Sequence, residues 1–145
     1  MRTRNSNSGQ SLVEFALIFP LIFLLITGFL DVSRAIFAFA SVSNAVREGT
    51  RYATVSKTDL NAAYASPADN SIIDKVISKA VGVKLTKSQV SVVIQKDSDG
   101  YFTNISITAT HMFTPITPGL KQILGTKTGI PIKAQSTMRI AQASR

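Results

Sequence analysis

Residues 12–30 read LVEFALIFPLIFLLITGFL, and this stretch decides how the chain is organised. Every residue in it is apolar except Glu14, Pro20, Thr27 and Gly28. As a helix rising 1.5 Å per residue it spans about 28 Å, close to the ~30 Å of bilayer hydrocarbon. It therefore reads as a membrane-crossing helix. Upstream lies MRTRNSNSG, in which Arg2 and Arg4 are the only charged side chains. Positive charge ahead of a first apolar segment holds that end in the cytoplasm, so the rest is expected on the far side. A secretory signal would be shorter and cut soon after its apolar run. The nearest small-x-small site is Ala38-Phe39-Ala40, and the helical pattern runs straight through Asp31, Ser33 and Arg34 to reach it.

Beyond the apolar segment the chain is ordinary. Its 145 residues, mean hydropathy +0.20 and pI near 10.1 describe a mixture of an anchor and a water-soluble domain of modest core. Sixteen basic against eight acidic residues give a formal charge of +8. With no Cys, disulfides, thiolate metal sites and Cys nucleophiles are excluded, and one His leaves no His pair. Basic excess suits nucleic acid, anionic headgroups or acidic polymers. Here the lysines are spread from Lys57 to Lys133 without stacking aromatics, which favours a solvated surface over a nucleic-acid partner.

Glu14 is the anomaly of the apolar segment. A carboxylate in hydrocarbon costs on the order of 2.5–3.5 kcal/mol at a helix centre, less near the interface. One reading is a Glu near the headgroups, snorkelled or protonated. The other starts from Gly9. If the chain is cut after Gly9, Gln10 becomes the N-terminus and Glu14 the fifth residue. The new α-amino group then neutralises Glu14 in its own subunit or the next, favouring lateral association.

Gly9-Gln10-Ser11-Leu12-Val13-Glu14-Phe15 resembles a class III signal cut by a prepilin peptidase: a small residue, four variable positions, Glu and an aromatic. Residues 9–20, GQSLVEFALIFP, are similar to the opening of TadE-like proteins, minor pseudopilins of the tight-adherence (Tad/Flp) pilus. A second string, residues 43–53, SNAVREGTRYA, resembles the same family through Asn44, Arg47, Glu48, Gly49, Arg51 and Tyr52. Asp31 followed by Arg34 also fits. The resemblance covers residues 9–53, with Phe113-Thr114-Pro115 and Thr137-Met138-Arg139 as short echoes. It implies cleavage between Gly9 and Gln10, recognition and assembly through Glu14 and Phe15, and a single-pass protein of the cytoplasmic membrane that enters a pilus. The implied partners are prepilin peptidase, other pilins or pseudopilins, the Tad assembly machinery and the membrane.

Pro20 removes one helix hydrogen bond, to the carbonyl of Ala16, and is expected to kink the helix. It is either a tolerated membrane proline or, by the resemblance, the flexible point that lets the helix leave the bilayer. The helix is expected to continue to about Val55. Phe29, Val32, Ile36, Phe39, Val46 and Ala53 form one stripe, expected to pack under the soluble domain. Asp31 with Arg34, and Glu48 with Arg51, are spaced to pair.

Residues 56–71 read as a loop. A short helix carrying Ile72, Ile73, Val76, Ile77 and Ala80 on one face is expected next, closed by Gly82. Strands follow at residues 90–94, 102–112 and 130–140, the first two joined by a hairpin turn at Asp97-Ser98-Asp99-Gly100. Pro115 and Pro118 end the second strand, and Leu120, Ile123 and Leu124 suggest a helical turn. The expected fold is α+β: a long N-terminal helix under about three antiparallel strands. The expected organisation is a leader 1–9, a transmembrane segment 10–30 and an extracytoplasmic domain 31–145, in which 31–55 continues the helix and 56–145 supplies loop, short helix and sheet.

Catalytic and cofactor signals are weak. Asp97-Ser98-Asp99-Gly100 lacks the distal Glu of a calcium loop. Gly119 to Gly125 with Lys127 misses the P-loop spacing. His111 stands alone and reads as a satisfied structural His, and Asn104-Ile105-Ser106 falls mid-strand. No enzyme, cofactor or metal is expected. Two readings remain: a pseudopilin, or an uncleaved anchored domain that binds a ligand or surface polymer.

Overall fold

A computed structural model describes residues 7–55, 71–96, 98, 102–123, 125 and 129–140. Its dominant element is a single helix, α1 (Asn7–Val55), 49 residues long, with Pro20 inside it. At 1.5 Å per residue it measures about 74 Å. Its apolar half satisfies its own backbone, as any segment in lipid must. Hydroxyls there bond back to the helix: Thr27 Oγ1 donates to the carbonyls of Phe23 and Leu24, and Ser33 Oγ to that of Phe29. The most apolar window has mean hydropathy 2.4, and none of it is buried by the rest of the chain.

The domain clusters on the C-terminal half of α1. The short helix α2 (Ser71–Lys79) buries Ile72 and Val76 and half-buries Ile73 and Ile77. Gly82, at φ +73°, turns the chain after it, in the left-handed region that glycine tolerates best. A turn of 3₁₀ helix (Lys87–Gln89) leads into β1 (Val90–Lys96). β2 (Phe102–Phe113), the turn-length helix α3 (Leu120–Ile123) and β3 (Ile130–Arg139) complete the order. The three strands form an antiparallel sheet in the order β1-β2-β3.

Register explains the core. Ile105 lies between Ile94 and Met138, Ile107 between Val92 and Ser136, and Ala109 between Val90 and Ala134. These three rows face α1, and Ile105, Ile107 and Ala109 at their centre are fully buried. The opposite face carries Ser91, Ser106, Thr108, Gln135 and Thr137, as the period of two requires. The α+β architecture and the alternation of β2 and β3 follow the sequence expectation.

The face of α1 that packs does not. Phe29, Val32, Ile36 and Phe39, expected under the domain, are 70%, 56%, 64% and 52% exposed. Of that stripe only Val46 and Ala53 are buried. The packed face consists instead of Asp31, Ala38, Val42, Ala45, Val46, Gly49, Thr50 and Ala53. Small residues there let the sheet and α2 approach the helix closely. A Cβ on Gly49 would overlap Val76 Cγ2 of α2 and lie 3.7 Å from Ile107 Cδ1.

Two further expectations change. Glu48 and Arg51 form no ion pair; among the described residues the pairs are Asp31–Arg34 and Asp74–Lys87. Residues 1–6 of the leader 1–9, residues 56–70 of the loop 56–71, most of the turn at 97–100 and Leu124 lie outside the described residues.

Candidate functional site

The residues singled out by sequence fall into separate places along α1. At its start, Gly9, Gln10, Glu14 and Phe15 are all exposed. The helix sets residues 10 and 14 one turn apart, and Gln10 Nε2 donates to Glu14 Oε1 at 3.2 Å. The same spacing stacks Phe15, Phe19 and Phe23, with ring centroids 5.5 and 6.3 Å apart. Nothing lies within 4 Å of where a Cβ on Gly9 would sit. The fold thus has no steric need for glycine at 9, in contrast to Gly49. Pro20 lies within the continuous α1 and is exposed.

The second string divides by face. Gly49 is buried against α2, while Asn44, Arg47 and Arg51 lie away from it: these three are exposed, and Glu48 is half-buried. Tyr52 is 38% exposed, and Lys75 Nζ of α2 stands 5.3 Å from its ring centroid. The string therefore joins a packing glycine to an outward face carrying Asn44, Arg47 and Arg51; its members do not converge on one point.

A third cluster was only half visible in sequence. Asp31 is 3% exposed and faces the segment after β2. Its carboxylate accepts from Ile116 N–H at 2.9 Å, from Thr117 N–H at 2.7 Å and from the Thr117 hydroxyl at 2.7 Å. Arg34 pairs with it at 3.1 Å, and the Arg34 guanidinium also lies 5.4 Å from the Phe113 ring centroid. Burial by itself would raise the Asp31 pKa. The bonds from Ile116 and Thr117, with the charge of Arg34, outweigh it and hold the carboxyl at about 2. Asp31 is thus an ionised clamp between α1 and the loop 114–118. Its pairing with Arg34 was legible from spacing; Thr117 was not, because it lies 86 residues away.

Beside this clamp lies a groove of about 320 Å³ lined by Leu30, Arg34, Phe37, His111 and Phe113 among others. His111 Nδ1 is buried without a hydrogen-bond partner, contrary to the expectation of a satisfied structural His. Among the described residues no three His, Cys, Asp or Glu side chains group as a metal site would require.

A family model described as TadE-like protein matches residues 9–51, from the glycine before the apolar segment to Arg51. This bears out the resemblance over the matched span, which lies within α1 and stops short of the sheet. No curated protein and no solved structure matches the chain.

Proposed function

We propose that this chain is a minor pseudopilin, cut by a prepilin peptidase between Gly9 and Gln10, that takes part in assembling a tight-adherence type IV pilus. Its role is structural and not catalytic. The observation that carries this reading is the joint occurrence, within the TadE-like match, of Gly9, Glu14 and Phe15 at the head of an exposed membrane-length helix. Gly9 supports it further, since packing makes no demand for glycine there and a peptidase subsite does.

In this reading the chain is held in the cytoplasmic membrane with its start inside and its domain outside. Cleavage removes Arg2 and Arg4 with the leader, lowering the formal charge from +8 to +6. It also frees the α-amine of Gln10. In the uncut chain the Gln10 side chain already reaches Glu14 across one helical turn. After cleavage an ammonium occupies that end of the helix, and it neutralises Glu14 in the same subunit or a neighbour. Pairing two charges that are each costly in lipid favours one axial register between helices. Partners are the peptidase, other pilins or pseudopilins and the Tad machinery, with no role for nucleic acid.

The test is substitution at the cut. Gly9→Leu keeps the helix and fills the subsite, so processing should stop while membrane insertion persists. Normal processing of Gly9→Leu removes the motif assignment.

A further inference from the structure

Measured along α1, the structure gives each part of the domain a height above the apolar segment. Residues 12–30 are membrane-length, so residue 31 lies near the edge of the hydrocarbon. Asp31 holds the Ile116 and Thr117 amides directly, which fixes the loop 114–118 at that same height. Val81 sits higher: its carbonyl accepts from Ser41 Oγ at 2.6 Å, ten residues along the helix, or about 15 Å. Ile107 faces Gly49, so its neighbour Ser106 and the paired Val93 stand roughly 27 Å above residue 31.

At the lowest of these heights the loop presents an isoleucine outward. Ile116 is 68% exposed although its backbone is pinned to a buried carboxylate. Ile123, tied to the same segment through α3, is 81% exposed. The charges there suit an anionic surface: Asp31 is buried, while the Arg34 side chain is half exposed. On α1 itself, exposed apolar residues continue to Ile36, Phe37 and Phe39. Exposed apolar side chains thus occur both on α1 beyond the membrane-length segment and on the loop pinned at residue 31.

We infer that the loop 114–118 rests in the interfacial zone of the bilayer, with the Ile116 side chain among lipid and Arg34 at the phosphates. The Asp31 clamp then has a purpose beyond stability: it sets the angle at which the domain stands on the membrane. A rigid loop needs no ordering on contact, so burying one isoleucine in the interface is not offset by lost conformational freedom. The inference rests on α1 being a membrane anchor, and not on cleavage or pilus entry.

The chain has no Trp, so each introduced Trp is its only one. Full-length Ile116→Trp, Val81→Trp and Val93→Trp would be reconstituted in vesicles of zwitterionic and anionic phospholipid, some brominated on their acyl chains. The fluorescence of Ile116→Trp should be quenched at least about threefold more than that of Val93→Trp, with Val81→Trp between or near zero, since an interfacial group sits ~5–10 Å into the boundary. Equal quenching at 116 and 93 overturns the inference. So does an Ile116→Trp signal that stays as weakly quenched as that of Val93→Trp when the protein is diluted in lipid. Alkaline extraction of the same vesicles reports anchoring separately; a chain that washes off refutes the anchor itself.

Discussion

Asp31→Asn isolates the clamp between α1 and the loop 114–118. The folded carboxyl has a pKa of about 2 against an ordinary value of 3.8. At roughly 1.36 kcal/mol per unit, that difference is worth on the order of 2 kcal/mol of stability at neutral pH. The sign follows from the direction of the shift. A carboxyl more acidic when folded is protonated more readily when unfolded, so its contribution is full above about pH 5. It is lost as pH falls through 3.8 towards 2. Asparagine keeps the shape and one acceptor oxygen but carries no charge and never titrates. The assay is urea unfolding of the full-length chain in mild detergent, read by hydrogen exchange of the β2 amides from neutral to strongly acidic pH. Asp31→Asn should be less stable by about 2–3 kcal/mol at neutral pH, and the gap should close on acidification. Other carboxylates titrate in both proteins and cancel in the difference. A cycle with Thr117→Val should give a coupling of about 1.5–3 kcal/mol, the range for hydrogen bonds to a charged group. A variant as stable as the parent at neutral pH, with parallel acid profiles, would refute the reasoning.

Other outcomes follow from the packing and from the N-terminal segment. Gly49→Ala gains about 1 kcal/mol of helix propensity but forces Val76 aside, at about 1–3 kcal/mol; melting should show a net loss, recovered when Val76→Ala is added. Ile107→Ala, in the middle row of the sheet and fully buried, should cost about 2–5 kcal/mol by the same unfolding assay. Glu14→Ala should be processed normally yet be depleted from sheared pili; unchanged pilus incorporation would remove the charge-pair role.

How much of this was legible in the sequence depended on how far apart the deciding residues lie. The strands were, because Ile105, Ile107 and Ala109 alternate and one residue of slip would invert the face. The boundary from apolar segment to domain was not. Large apolar residues at helical spacing, Phe29, Val32, Ile36 and Phe39, looked like a core stripe, yet they are exposed. The true contact face uses Ala38, Val42, Ala45 and Gly49, whose merit is small size and close approach rather than hydrophobicity. Hydropathy patterns weight bulk and therefore chose the wrong side. At the N-terminal segment the residue types and spacing were readable, while the absence of any packing need for Gly9 required coordinates. Asp31 was visible only as half of a local pair. Its principal partners lie 85 and 86 residues away, beyond the reach of any local pattern.

The most direct test of the proposed role is the intact mass of the protein extracted from cells that make the peptidase. The account predicts a chain that has lost residues 1–9 and begins at Gln10. A full-length mass in those cells contradicts it and leaves an anchored domain that is never processed.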